Sequence, residues 1–264
     1  MNISSSIAVV GSMALTAAAA AGPSQSFGEL STGSGTPISW VWPIGGGSDN
    51  TNFVFTNTNI GSGGTDEWLT IGLRANAYYG APNAIPTYVG NNTFEADAGA
   101  SLWAPASGGP VPDAYANAPR WGFSWNISVD GSRSASALSG LYWSMRIVGP
   151  GSSGNWGTTN FSGPIGANDA LNAWQLGFDF FPLSSGATPI NPSSPSGPFY
   201  PANLWDGLNF NRNTLGDYQF EIAVRGGQTG TILGSTSMTV SVVPAPGAIA
   251  VLGLTGLSVR RRRN

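Results

Sequence analysis

The chain contains no cysteine, no histidine and no lysine; its ten basic residues are all arginine. Without cysteine no disulfide can staple the fold, even in an oxidising compartment that would permit one. Losing histidine as well excludes Ser-His-Asp and Cys-His nucleophile systems, thiol chemistry, and the usual zinc and haem ligands. Charge is scarce, at 9% of residues. Four of the arginines close the chain, so the remaining six stand against 13 acids and leave the body at −7. A body of that sign, with no basic cluster, has no electrostatic case for nucleic acid. Helical periodicity is missing too, apart from a single turn expected around Ala167 to Ala173.

Aromatic residues are plentiful: ten tryptophans, twelve phenylalanines and seven tyrosines. With no covalent staple, stability must come from a packed core, and these side chains each bury a large apolar area. Their spacing is that of strands. From Trp121 to Asp130 every odd residue is apolar and every even one small or polar, the period-two pattern of a strand with one buried face. Glu67 to Tyr79, Leu141 to Ile147, Trp174 to Phe180, Asp217 to Gly226 and Thr231 to Val243 alternate in the same way, with shorter candidates at Ile38 to Trp42 and Phe53 to Asn57. Breaker-rich connections separate them, among them Gly80 to Pro86, Ala104 to Pro119, Gly149 to Gly166 and Pro182 to Asn203. One apolar face per strand and no helix to cover it predict an all-β fold, an antiparallel two-sheet β-sandwich of jelly-roll or immunoglobulin-like type, over residues 23–243. No repeat of fixed period points to a propeller or solenoid.

The two ends differ from the body. Ile7 to Ala21 is uncharged and apolar and closes on small residues, as a signal peptide does before its cleavage site, so residues 1–22 are expected to be removed. At the other end, Pro244, Pro246 and Gly247 open an uncharged run, Ala248 to Val259, followed by Arg260, Arg261, Arg262 and Arg263. As a short hydrophobic helix this run of twelve residues would reach only about 18 Å against a hydrocarbon core of about 30 Å. Basic residues resist translocation, which would hold the arginines on the cytoplasmic side.

Proline motif, apolar segment and terminal arginines in this order resemble the PEP-CTERM sorting signal of exported bacterial proteins. The matching residues are Val243, Pro244, Ala245, Pro246 and Gly247, then Leu252-Gly253-Leu254, then Arg260 to Arg263; Ala245 stands where the family's name places a glutamate, giving a V-P-A-P-G form. The resemblance covers residues 244–264 with Val243 and implies an exosortase substrate, held transiently in the membrane and passed to the envelope or the extracellular polysaccharide. Its implied partners are the translocon, signal peptidase and an exosortase-type membrane protease. Asp217 to Val243 also looks like the closing strand pair of other proteins with this tail.

Within the body, the chemistry left open by the missing residue types is that of carboxylates. A glycoside hydrolase needs two acids across a cleft, and Asp179, Asp206, Asp217 and Glu221 are the nearest candidates; Asp66-Glu67 and Glu95 with Asp97 read as strand starts and loop polarity. Calcium would find oxygen ligands in Gly47-Ser48-Asp49-Asn50 and Asn168-Asp169, although no D-x-D-x-D-G run is present, and the expectation is no cofactor and no metal. Trp68, Trp103, Trp156 and Trp205 fall at strand ends or in loops and are the candidates for stacking on a sugar ring. N-x-S/T sequons occur at Asn91, Asn126 and Asn160. The reading that joins both ends to the body is an exported, non-enzymatic envelope or biofilm-matrix protein. A carbohydrate-binding module and a carboxylate-dependent glycoside hydrolase are the alternatives.

Overall fold

The computed structural model describes residues 24–38, 51–77, 85–100, 119–132, 134–150, 157–165, 171–174 and 210–245. These residues are mostly strand. The elements are β1 (Ser26–Gly28), β2 (Phe53–Asn59), β3 (Trp68–Asn76), β4 (Thr87–Gly90), β5 (Thr93–Asp97), β6 (Gly122–Val129), a one-turn helix α1 (Ala135–Leu138), β7 (Leu141–Gly149), β8 (Gly157–Pro164), β9 (Leu171–Trp174), β10 (Gly216–Gly226) and β11 (Ile232–Val243). They form a five-stranded sheet, β1-β2-β3-β6-β9, and a six-stranded sheet, β4-β5-β11-β10-β7-β8. All neighbours are antiparallel except β5 and β11, which run parallel from Thr93↔Thr239 to Asp97↔Val243.

One core lies between the sheets. Leu69, Ile71, Leu73, Phe123, Trp125 and Ile127 come to it from the first sheet, and Trp143, Met145, Ile147, Phe220, Ile222 and Val240 from the second. Aromatic rings cross the seam. Trp125 stacks on Trp143 at 4.9 Å between centroids, Phe123 meets Phe220 at 4.6 Å, and Trp121 packs against both Tyr218 and Phe220. A buried hydrogen bond also joins the sheets, Thr236 Oγ1 donating to the Ile71 carbonyl at 2.8 Å. At one edge Phe27 of β1 stacks on Tyr88 of β4 at 3.5 Å.

The alternation places residues as expected through the middle of β10 and β11, where Tyr218, Phe220, Ile222, Val224, Thr236, Met238, Val240 and Val242 are buried and Asp217, Gln219, Glu221, Ser237 and Thr239 face outward; Ala223 alone among the outward positions of β10 is also buried. In β6 it does so only in part. All eight residues of this strand are buried, including Ser124, Asn126 and Ser128 on the face away from the core. The covering layer is a second apolar cluster, Leu30, Ile38, Phe53 and Phe55, with Leu171 packed against it. Gly72 lets this layer approach: it pairs with Phe55 on one side and Asn126 on the other, and a Cβ there would lie 2.7 Å from Leu30 Cδ1. In β3 and β6 the first sheet is therefore apolar on the core face and small or polar on the other, which is still covered, in part by Phe53 and Phe55 of β2 in the same sheet.

Other differences from the sequence reading are local. The β4–β5 hairpin and β1 were not expected, and β8 occupies part of the connection assigned to Gly149 to Gly166. Leu171–Trp174 is strand, where the sequence suggested a helical turn reaching Ala173; the pairing with β6 decides it. The first part of that turn, residues 167–170, lies outside the described residues; a one-turn helix is described at Ala135–Leu138, with Ser134 as its N-cap accepting from the Ala137 amide. Ile38 is described, but the rest of the Ile38 to Trp42 candidate lies outside the described residues, as do residues 1–22, residues 246–264 and Gln175 to Phe180. Among the described residues no helix is long and apolar enough to cross a membrane.

Removing the ring at the centre of the seam leaves a cavity that the facing indole cannot fill. Trp125→Ala should cost about 3–5 kcal/mol in urea unfolding. Burial also pushes the Tyr218 phenol above its ordinary value. The unfolded chain ionises this group near pH ~10 while the folded chain keeps the proton. Its contribution is complete below that pH and is lost as pH rises towards the folded-state value. The urea midpoint should fall above pH ~10, and Tyr218→Phe should flatten that fall.

Candidate functional site

The outward face of the six-stranded sheet is built from the residues that alternate with the core. On β10 these are Asp217, Gln219, Glu221 and Arg225; on β11 Ser235, Ser237, Thr239 and Ser241; on β7 Ser144 and Arg146. The cross-strand register puts Gln219 beside Thr239, Glu221 beside Ser237, and Arg146 beside Glu221. Arg146 Nη2 and Glu221 Oε2 form an ion pair at 3.0 Å with both side chains well exposed.

A hairpin turn raises one wall over this face. Asn91 and Asn92 lie between the paired Gly90 and Thr93, with φ of 49° and 56°, the left-handed conformations that a two-residue turn of this kind requires and that asparagine tolerates. The Asn92 carbonyl accepts from the Thr239 amide at 2.9 Å, which fixes the turn to β11. The Asn92 side-chain amide donates to Gln25 Oε1, and Gln25 Nε2 donates to the Ser237 carbonyl at 3.2 Å. Gln25 thus occupies the edge of β11 where the β5 ladder has ended. The result is a shallow groove of about 390 Å³, floored by Gln219, Glu221, Ser237 and Thr239 and bounded by Arg146 and the Asn91-Asn92 turn. Phe220 and Met238 also line it, although both are core residues less than 3% exposed. Among the described residues, none of the exposed large hydrophobic ones, such as Ile85, Val89 or Ile232, is part of it.

Residues singled out from the sequence fall elsewhere. Trp68 opens β3 and is half-buried, its indole lying against Gly33 so closely that a Cβ at that glycine would fall on the ring. Its backbone is held by Asp130, whose Oδ1 accepts from the Trp68 amide at 2.7 Å. Trp103, Trp156 and Trp205 lie outside the described residues, as do Asp179, Asp206 and both candidate calcium loops. Asp217 and Glu221 share the outward face of β10, but the Glu221 carboxylate is already engaged by Arg146. Asp97 is bound by Arg120 at 3.2 Å, and Asp66 accepts from Asn59 at 2.8 Å in closing the β2–β3 loop. Among the described residues no three acidic side chains gather to hold a metal.

The sequons differ in place. Asn91 is exposed at the turn, Asn160 sits in β8 opposite Arg146, and Asn126 is fully buried. Neither amide atom of Asn126 finds a hydrogen-bond partner among the described residues. Its polarity belongs to the covered face of the first sheet, where no glycan could be accommodated.

Gln25 and Asn92 were missed by sequence reasoning, and Asn91 was noted only as a sequon. Asn-Asn between two short alternating runs was the available signal for the hairpin, but Gln25 is joined to the groove only by the fold. Because the Arg146–Glu221 pair is exposed, Glu221→Gln should change unfolding free energy by less than about 1 kcal/mol, measured by urea titration.

The chain matches no known family, no curated protein and no solved structure in the comparisons made with them.

Proposed function

We propose that this chain is an exported, non-enzymatic protein of the cell envelope or extracellular matrix. Residues 1–22 act as its signal peptide, residues 23–243 are its working body, and residues 244–264 form its sorting tail. The body is a two-sheet β-sandwich. Its β11-β10-β7 order, with an early strand parallel to the last one, favours the immunoglobulin-like arrangement over the jelly roll.

The observation that carries this reading is where the sheet stops. β11 runs between β5 and β10 and ends at Val243, the first residue of the V-P-A-P-G motif. The last bond of that end is donated by the Ala98 amide to the Val243 carbonyl at 2.8 Å. A protease cutting in or after the motif would remove no strand from the body. A cut a few residues earlier would take a central strand with it. This division suits a tail that serves delivery and is then discarded through an exosortase-type protease, after the arginines have held the chain at the membrane.

Two measurements test the proposal. Intact-mass analysis of the native exported protein should find a form lacking Arg260 to Arg263; an exported form that retains all four would overturn processing. Truncation after Gly247 should leave the melting temperature unchanged, whereas truncation after Gly234, which deletes most of β11, should abolish cooperative melting.

A further inference from the structure

We propose that the groove on the outward face of the six-stranded sheet binds a neutral, hydroxyl-rich glycan chain. This gives the exported body a task, and it rests on the exported reading only for where the ligand would be met. The binding itself is a property of the folded domain.

The groove's volume of about 390 Å³ is within the range of about 300–1,000 Å³ typical of small-ligand sites. Its chemistry is unusual for such a site, because the accessible groups are polar and nearly all uncharged. Ser237 and Thr239 each offer a hydroxyl that both donates and accepts; Gln219 and Asn91 each offer an amide with both functions. Sugar hydroxyls have that same dual character, and a chain of them needs a surface with donors and acceptors side by side. Here the strands set the spacing, at about 4.8 Å between neighbours and about 6.8 Å between successive outward residues.

Charge narrows the class. The groove's one cation, Arg146, and one anion, Glu221, neutralise each other at 3.0 Å. A phosphate or uronate would have to compete with Glu221 for the guanidinium, and a body carrying −7 repels polyanions at a distance. For a neutral polyol the same pair is useful as it stands, with remaining guanidinium donors and carboxylate lone pairs free to take hydroxyls. An apolar peptide has little to bury there, because among the described residues the exposed large hydrophobic side chains lie elsewhere.

The wall is already built. Gln25, Asn92 and Ser237 are tied to one another, and Asn92 is tied to Thr239 through its carbonyl. Little ordering would accompany binding on that side, which favours affinity at a site too shallow to enclose its ligand.

The test is affinity electrophoresis of the purified full-length chain in gels containing dextran, glucomannan or galactomannan, with polygalacturonate as the acidic comparison. At least one neutral polymer should retard the protein. Gln219→Ala and Glu221→Gln, both on the exposed face, should each weaken that retardation about tenfold without lowering the melting temperature appreciably, while Trp68→Ala should leave it intact. Absence of retardation by every neutral polymer would overturn the proposal, as would retardation by polygalacturonate alone. Retardation lost in Trp68→Ala but kept in Gln219→Ala would overturn the groove as the site. None of these outcomes depends on whether the tail is processed, so failure here and failure of the export proposal can be told apart.

Discussion

Contact between aromatic rings across the two sheets is the interaction on which the rest of this structure depends. With no disulfide available, no covalent cross-link beyond the backbone itself joins one sheet to the other, and the seam holds them through Trp125 on Trp143, Phe123 on Phe220, and Trp121 on Tyr218. Rings suit this duty because each buries much area for few rotatable bonds. The seam also fixes which face of every strand is free. Once Phe220, Ile222 and Val224 are committed to the core, Gln219 and Glu221 must face outward, and the same holds for Ser237 and Thr239 on β11.

From that constraint follows the position of the last strand. β11 is paired on both sides, antiparallel to β10 and parallel to β5, and crosses over β2 and β3 in the facing sheet. It is the strand that brings the N-terminal half of the chain and its end together. Its outward residues form the floor of the polar groove, and its final residue adjoins the proline motif. The proposed binding face and the proposed point of release are thus two properties of one strand.

The strands that carry the core were legible because alternation is a local signal. β6, β7, β10 and β11 were all anticipated to within a few residues, and so was the outward placement of Arg146, Gln219 and Glu221. What could not be read was anything that depends on two distant segments meeting. The burial of Ser124, Asn126 and Ser128 requires Leu30, Ile38 and Phe53 to lie over them, and nothing within β6 announces that layer. The parallel pairing of β5 with β11 joins residues more than a hundred positions apart. Gln25 reaches Ser237 across 212 positions. Strand β8 was hidden by its composition, Gly-Thr-Thr-Asn-Phe-Ser-Gly-Pro, which reads as a loop until β7 supplies a partner. The candidate site was half visible for the same reason: its floor follows from alternation, its wall from topology.

Hydrogen exchange followed by mass spectrometry on the full-length chain tests most directly whether β11 closes the body as a central strand. Amides of β11 up to Val243 should exchange together with those of β6 and β10, at the rate of global unfolding, and residues beyond the proline motif should exchange independently of them. If β11 instead exchanged as fast as the tail that follows it, the strand would not be part of the cooperative core, and the division between body and tail drawn here would be wrong.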